Sequence, residues 1–235
     1  MLIKSSIPLS HFPQDPICAE KTFTGFVILL EILNTRFTVF YRKYFKFFLD
    51  KLFIFLITPI LLIVLIIIGI GVYLTLGSPI IFKQQRVGLN NKIFTIFKFR
   101  SMPLDWKPGE GKIKDLKIFS KFLRNYSLDE LPEFFNVVKG DMSIVGPRPL
   151  LPEYLKFYTE SEMLRHTVKP GLTGLAQVKG RNAISWEKRF QYDILYVKEY
   201  TWRLDLKIFL NTIQLLLNPS KIYHNNDTEM PPFNR

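Results

Sequence analysis

Residues 52–76 read LFIFLITPILLIVLIIIGIGVYLTL and include no charged residue in 25 positions. As a straight helix this stretch would be about 37 Å long at 1.5 Å per residue. The hydrocarbon core of a bilayer is about 30 Å thick. The stretch therefore predicts a membrane helix.

The course of this helix through the membrane is set by its proline and its flanks. Thr58 and Pro59 lie inside it, and an interior proline kinks a helix. Basic residues stand on both sides: Arg42, Lys43, Lys46 and Lys51 before it, and Lys83, Arg86, Lys92 and Lys98 after it. Positive charge at both ends conflicts with a simple positive-inside crossing. We therefore expect a re-entrant helix that breaks at Thr58-Pro59; a plain single-span anchor is the alternative.

Composition narrows the class of partner. The net charge of +12 indicates a polyanion, such as anionic membrane lipid, nucleotide phosphates or nucleic acid. The 48% hydrophobic content favours the first two, so we expect no nucleic-acid partner. Cys18 is the single cysteine, which excludes an intrachain disulfide and a cysteine-based zinc cluster.

The rest of the chain divides around the membrane segment. Residues 1–43 form a leader, either flexible or a short surface helix, and no small-residue cleavage site marks it as a signal peptide. Residues 44–77 carry the membrane helix, 78–217 a compact domain, and 218–235 a polar tail that we expect to be disordered. Apolar periodicity and turn residues predict strands at Ile80–Gln84 and Ile93–Lys98, helices near Leu116–Asn125, Leu128–Val138, Leu151–Arg165 and Trp186–Glu199, and an amphipathic interfacial helix at Leu204–Leu217.

A pair of acidic residues opens one of these helices. The spacing Ser127-Leu128-Asp129-Glu130 is that of a capping box, with an apolar face at Leu131, Phe134, Phe135 and Val138 behind it. Such a box is commonly structural. In the functional interpretation, the helix dipole keeps both carboxylates ionised, Asp129 attacks phosphorus, and Glu130 helps to hold Mg²⁺.

Basic residues in turns are the candidates for phosphate binding. Pro147 and Pro149 bracket Arg148 and would hold its guanidinium in place for a bidentate phosphate contact. Lys169–Gly174 and Gly180-Arg181-Asn182 could cradle a diphosphate through backbone N–H groups. Each could equally be an ordinary turn. His166 stands apart from the other histidines, and we expect it to be structural or on the surface.

Together these segments resemble one family, the bacterial sugar transferases, which are monotopic polyprenol-phosphate phosphoglycosyl transferases. The resemblance rests on SPIIFKQQRVGLNNKIFTIFKFRSM (78–102), SLDELPEFFNVVKGDMSIVGPRPLLPEY (127–154), LRHTVKPGLTGLAQVKGRNAISWEKRF (164–190) and LDLKIFL (204–210). It spans roughly residues 44–217. The short form, without preceding membrane helices, is similar to transferases of N,N′-diacetylbacillosamine phosphate or a related acetamido sugar phosphate.

The resemblance implies a mostly helical α/β domain on the cytoplasmic face of the bacterial inner membrane, a re-entrant helix and Mg²⁺. It implies that Asp129 takes a sugar phosphate from a UDP-sugar, releasing UMP, and that undecaprenyl phosphate then accepts it. Glu130 would assist with the metal or with the acceptor, and downstream glycosyltransferases would use the product. Carried over by position, the phosphate and substrate contacts are Arg124, Arg148, Lys98 and Arg181.

Two positions depart from the pattern of the family, and other functions compete with this one. Ser101 replaces the usual Thr, and Leu175 replaces the usual Trp in a position that bears on nucleotide or sugar contacts. A lipid-linked glycosyltransferase would move the sugar alone and release UDP. A basic membrane scaffold would need no catalysis, and a nucleic-acid binder would need only the charge.

Overall fold

A computed structural model of the chain describes residues 35–104, 118–180, 183–217 and 233. Most of the predicted leader and tail lies outside these residues. In chain order the helices and strands are α1 (Thr35–Leu76), β1 (Ile81–Val87), β2 (Ile93–Phe99), α2 (Ile118–Asn125), α3 (Phe134–Lys139), β3 (Ser143–Val145), α4 (Glu160–Met163), β4 (Gly171–Thr173), α5 (Leu175–Gly180), α6 (Trp186–Glu199) and α7 (Trp202–Leu217). The predicted mostly helical class with small strands is confirmed.

Helix α1 contains the apolar stretch. It has a π-helical turn at Tyr41–Phe45 and then an α-helical part, Lys46–Leu76, that runs through Pro59. The Thr58 hydroxyl donates to the Ile54 carbonyl (2.7 Å), inside the turn that the proline weakens. Most of the apolar side chains face outward. Among the described residues this is the one helix long and apolar enough to cross a membrane. In its most apolar 18-residue segment, 11% of the residues are buried. Re-entry to the same face stays a prediction.

Two small sheets organise the domain. The antiparallel hairpin β1–β2 runs in register from Ile81↔Phe99 to Val87↔Ile93, and the predicted turn between them is present, with Asn90 and Asn91 at positive φ. Strands β3 and β4 pair in parallel, Val145 opposite Thr173. A Cβ added at Gly146 or Gly171 would collide with the backbone of the other segment, so only glycine allows these segments to lie so close.

Several predicted helix bounds are changed by the structure. The helix at Trp186–Glu199 is found as predicted, whereas the one expected near Leu151–Arg165 is divided into the 3₁₀ helix Pro152–Phe157, α4 and the 3₁₀ helix Leu164–Thr167. The helix expected over Leu128–Val138 begins as a 3₁₀ helix, Leu128–Glu133, and becomes α3 only afterwards. Because the two helix types have different periods, half of the predicted apolar face, Phe135 and Val138, is exposed.

The apolar helix α1 is built into the domain. Its base shares a core with the sheets and α3 through Ile54, Ile96 and Val137. Nearer its C-terminal end, Ile68 and Val72 pack with Phe99 and Leu123. The ring of Phe119 from α2 lies over Gly71, where an added Cβ would be 2.5 Å from the Cζ atom of the ring.

A buried carboxylate fastens the base of α1 to the last two helices. Asp205 of α7 accepts hydrogen bonds from Tyr41 Oη (2.6 Å) and Tyr196 Oη (2.7 Å), and its other contact is Lys46 Nζ (2.5 Å). Since three donors converge on one carboxylate, α1, α6 and α7 are held in a fixed arrangement.

Helix α7 is amphipathic, as predicted. Its buried residues are Asp205 and Ile208. Its exposed apolar residues recur at three- and four-residue intervals, which places them on one face: Trp202, Leu206, Leu210, Ile213 and Leu217.

The tail contributes one described residue. Phe233 is 3% exposed and packs with Leu150 and Phe190, with ring centroids of Phe233 and Phe190 5.0 Å apart. Phe233 therefore belongs to the domain core, although it lies within the segment predicted to be disordered.

Candidate active site

The acidic pair Asp129-Glu130 lies in the 3₁₀ helix Leu128–Glu133, which packs against β2. Ser127, before it, has φ +53° and ψ +28° and makes no side-chain capping hydrogen bond. The predicted capping box is therefore wrong: the left-handed backbone turns the Ser127 side chain away from the N–H groups that it would cap. The amide of Glu130 instead donates to the Ser127 carbonyl (3.2 Å).

Glu130 is held by two cations. Arg148 contacts it with both terminal nitrogens, Nη1 at 3.1 Å from Oε2 and Nη2 on Oε1. Lys98 Nζ from β2 lies 2.7 Å from Glu130 Oε1. Burial raises the pKa of the Glu130 carboxyl, but Arg148 and Lys98 outweigh it and bring the pKa well below its usual range. Glu130 is therefore ionised at neutral pH, because of these side chains and not because of a helix dipole.

Asp129 has the opposite electrostatic balance. Burial and the neighbouring Glu130 charge raise its pKa to about 6, against smaller lowering effects from Lys98 and Arg124. Its carboxylate accepts a long hydrogen bond from Ser101 Oγ (3.3 Å). Two adjacent carboxyls thus have separated pKa values, a pattern that assigns them different chemical roles. The pKa of Asp129 is therefore raised by burial and by Glu130, whereas the expected helix dipole would lower it.

A third carboxylate completes the cluster. Glu133 is 3% exposed, and its Oε1 lies 3.1 Å from Lys98 Nζ. Its pKa is raised by burial and then by Glu130. Lys98 therefore bridges two carboxylates one helical turn apart, which holds this lysine beside the acidic pair.

The loop that carries Arg148 is fixed through its carbonyl groups. Pro147 and Pro149 have no N–H to donate. The amide of Gly171 donates to the Pro147 carbonyl (3.0 Å), and Arg165 Nη2 donates to the Arg148 carbonyl (2.7 Å). The loop is thus held rigidly, as the bracketing prolines predict, and places the Arg148 guanidinium on Glu130.

The other predicted phosphate contacts differ in how the structure places them. Arg124 ends α2, and its charge lowers the pKa of Asp129, so it lies near the pair. Lys98 is at the site, as described above. Arg181 lies outside the described residues. Lys169 stands over the Phe47 ring of α1, with its Nζ 4.6 Å from the ring centroid.

His166 lines a shallow surface cleft together with Arg148 and Arg165. Burial lowers the pKa of the imidazole to about 3, so it is neutral at physiological pH. The ring packs against Tyr158 with centroids 5.4 Å apart, and neither ring nitrogen has a hydrogen-bond partner among the described residues. This placement fits the structural role expected for it.

Sequence reasoning passed over residues that the fold brings to the site. Glu133 is three residues beyond Glu130, a spacing that could have marked it as a neighbour. Arg86 donates to Gln84 Oε1 (2.6 Å), and burial and the nearby Arg148 charge lower its pKa to about 10. The pair Arg165–Asp193, 28 residues apart, left no local signal in the sequence.

The same carboxylates are the candidates for holding magnesium. No group of three or more potential ligands is found in the part of the chain that the structure describes. Both oxygens of Glu130 are engaged by cations, whereas the hydrogen bond described for Asp129 is the long one from Ser101. Since Mg²⁺ is typically held by one or two carboxylates together with substrate phosphates, Asp129 fits it better than Glu130 does.

The sequence also resembles those of known proteins. Residues 41–219 match the family described as bacterial sugar transferase. The chain is 46% identical over 177 residues to the "uncharacterized sugar transferase EpsL" of Bacillus subtilis (strain 168), covering 74% of this chain and 87% of that protein.

Longer relatives have names that state a reaction. A UDP-glucose:undecaprenyl-phosphate glucose-1-phosphate transferase of Klebsiella pneumoniae is 42% identical over 73% of this chain and 39% of its own length. An undecaprenyl-phosphate galactose phosphotransferase of Salmonella typhimurium is 37% identical over 63% of this chain and 35% of its own length. The chain thus spans under two-fifths of these two proteins. The resemblance predicted from the motifs is confirmed: the chain belongs to the bacterial sugar transferase family.

Proposed function

We propose that this chain transfers a sugar 1-phosphate from a UDP-sugar to undecaprenyl phosphate through a covalent intermediate on Asp129, with release of UMP. The observation that carries the proposal is the partly buried Asp129, next to an ionised Glu130 that Arg148 and Lys98 hold. Relatives named for this type of reaction support the general chemistry.

Asp129 suits the role of nucleophile. With a pKa of about 6 it is mostly ionised at pH 7 to 8, yet burial leaves its carboxylate poorly solvated and therefore more reactive. Its carboxylate oxygen would form a bond to the phosphorus that carries the sugar. The bond from that phosphorus to the UMP oxygen would break, and UMP would leave.

The second half of the reaction reverses the roles. A phosphate oxygen of undecaprenyl phosphate would bond to the same phosphorus, and the bond to Asp129 would break. The products are the diphosphate-linked lipid sugar and the free Asp129 carboxylate. The chain thus needs no external proton acceptor for either displacement, because both nucleophiles are anions.

The cations around Glu130 suit a diphosphate. Arg148 presents a fork that matches phosphate oxygens, and Lys98 is a compact charge beside it. Glu130 orients both in the free protein, so little reordering is needed when the substrate arrives. Asp129 would be the residue to hold Mg²⁺, which would supply positive charge to offset that of the diphosphate.

The placement in the membrane follows from the acceptor. Undecaprenyl phosphate keeps its phosphate at the membrane surface, and the exposed apolar faces of α1 and α7 would set the domain there. We propose that the helix re-enters and that the domain lies on the cytoplasmic face of the inner membrane. An acetamido sugar, such as N,N′-diacetylbacillosamine, is the proposed cargo, and glycosyltransferases that extend the lipid-linked sugar are the proposed partners.

The test is a nucleotide-product assay with purified chain, undecaprenyl phosphate and a panel of UDP-sugars. We expect UMP from the wild type and essentially none from Asp129→Asn, with Glu160→Gln, on the surface, as the matched control. Without acceptor, label from the sugar phosphate should stay on the wild-type chain and not on the Asp129→Asn chain. Release of UDP would establish the sugar-only glycosyltransferase instead, and turnover by the Asn variant would reject Asp129 as nucleophile.

A further inference from the structure

The domain core contains a buried ion pair, Arg165–Asp193. It is connected to the acidic pair through Arg148, which contacts both Arg165 and Glu130. Arg165 and Asp193 each expose 1% of their side chains, and Arg165 donates to Asp193 Oδ2 from Nε (3.1 Å) and Nη2 (2.8 Å). Burying two charges costs about as much as their attraction returns, so stability alone is a poor reason for such a pair.

The guanidinium of Arg165 also contacts the loop that carries Arg148. Arg165 Nη2 also donates to the backbone carbonyl of Arg148 (2.7 Å). The Arg165 guanidinium lies over the rings of Phe190 (5.6 Å) and Tyr158 (5.9 Å), which restrict its movement. It therefore links α6, which carries Asp193, to the loop that carries Arg148.

We propose that Arg165, held by Asp193, is a positioning residue that fixes the backbone at Arg148 and so keeps the Arg148 guanidinium on Glu130. This inference rests on the proposed function, in which Arg148 contacts substrate phosphate. Arg165 itself acts through Arg148: its described hydrogen bonds are with Asp193, Tyr158 and the Arg148 carbonyl.

The construction of the loop explains the need for this contact. Because Pro147 and Pro149 donate no hydrogen bonds, the loop is fixed by what its carbonyls accept. The Pro147 and Leu150 carbonyls accept from the amides of Gly171 and Val87, each at 3.0 Å. Between them, Arg165 Nη2 donates to the Arg148 carbonyl (2.7 Å) and Arg86 Nη1 donates weakly to the Pro149 carbonyl (3.5 Å). The charge of Asp193 holds the Arg165 donor in one orientation.

The decisive variant replaces both charges by apolar residues of similar size, R165M/D193L. Such a replacement often leaves stability unchanged or improves it, so the fold should survive while the donor to Arg148 is lost. We expect turnover to fall tenfold or more with a melting temperature close to that of the wild type. Turnover equal to that of the wild type would overturn the proposal.

A double-mutant cycle with R148K separates positioning from a general structural role. If Arg165 acts through Arg148, R148K should cost much less in the R165M/D193L background than in the wild type. Equal costs in the two backgrounds would overturn the proposal.

Hydrogen exchange gives a readout that does not depend on catalysis. The amides of Val87 and Gly171 should exchange faster in R165M/D193L, because their acceptors in the loop become mobile. Unchanged exchange would count against positioning. A wild type that releases no UMP would instead reject the proposed function, and the exchange result would still decide whether Arg165 fixes the loop.

Discussion

The guanidinium of Arg148 contacts the carboxylate of Glu130 through both of its terminal nitrogens, across 18 residues of sequence. This pair holds Glu130 ionised beside a neighbour, Asp129, whose pKa is raised to about 6. The two acidic residues thus differ in their electrostatics: Arg148 forms a fork on Glu130, whereas burial and the Glu130 charge dominate at Asp129.

Glu130→Gln should weaken the site and its stability together. The change leaves Arg148 and Lys98 beside a neutral amide, and we expect a loss of about 1–3 kcal/mol in the free energy of unfolding. We also expect turnover to fall at least about a hundredfold, as when a charge-stabilising group is removed. Glu133→Gln is the matched control, since Lys98 keeps Glu130 as a partner. Equal effects of the two changes would contradict this account.

The acid limb of the pH–rate profile should report the acidic pair. In the proposed reaction Asp129 would attack only when ionised, so turnover should fall about tenfold per pH unit below an apparent pKa near 6. Arg124 lowers this pKa, so Arg124→Gln should move the limb to higher pH. Profiles of kcat/KM against pH would check both, and a shift to lower pH in the variant would be the wrong sign.

Asp129→Asn should stabilise the fold while abolishing turnover. The Asp129 pKa is higher in the folded chain than the model-peptide value of 3.8, so its ionisation opposes folding above pH 6. At pH 8 we expect a gain of about 1–3 kcal/mol in the free energy of unfolding. The gain should shrink as the pH falls towards 4, where the native carboxyl is also neutral. Thermal unfolding in detergent at both pH values would show this, and a variant that unfolds more easily at pH 8 would contradict it.

Two glycines of α1 form a matched pair for testing how α2 docks. An alanine Cβ at Gly71 would be 2.5 Å from Phe119 Cζ, whereas at Gly69 its nearest contact is an ordinary 3.7 Å. We expect Gly71→Ala to destabilise by about 1–3 kcal/mol through overpacking. Gly69→Ala should be neutral or stabilising by up to about 1 kcal/mol, because alanine favours the helix.

The companion change is made in Phe119. Combining Gly71→Ala with Phe119→Leu should recover part of the loss, since the smaller side chain makes room for the added methyl group. Melting temperatures of Gly71→Ala, Gly69→Ala and the double variant Gly71→Ala/Phe119→Leu would check these expectations. No recovery in the double variant would mean that Phe119 is not the residue that Gly71 accommodates.

Topology can be read from cysteine labelling after Cys18 is replaced by serine. Phe40→Cys and Gln85→Cys place exposed thiols on the two sides of the apolar stretch. If α1 re-enters, an impermeant reagent should label both only from the cytoplasmic side. Labelling from opposite sides would establish a single span.

Elements that depend on local chemistry could be predicted from the sequence alone. The uncharged run at 52–76 predicted a long apolar helix, and the Gly88–Asn91 turn between two apolar segments predicted a hairpin; both are found. The motif around Asp129 and Arg148 was specific enough to indicate the family, which the comparison confirmed. These features extend over few residues, so their physical causes are present in the local sequence.

The pairing of the acidic residues with basic residues could be read only from the three-dimensional structure. A capping box was expected at Ser127, but its left-handed backbone removed the cap, and Glu130 instead found Arg148 and Lys98 from distant segments. Asp129 differs from Glu130 by burial and partners, which adjacent positions in a sequence do not reveal. The pKa of a buried group depends on charges brought near it by the fold, and for that physical reason the division of roles within Asp129-Glu130 belongs to the three-dimensional arrangement.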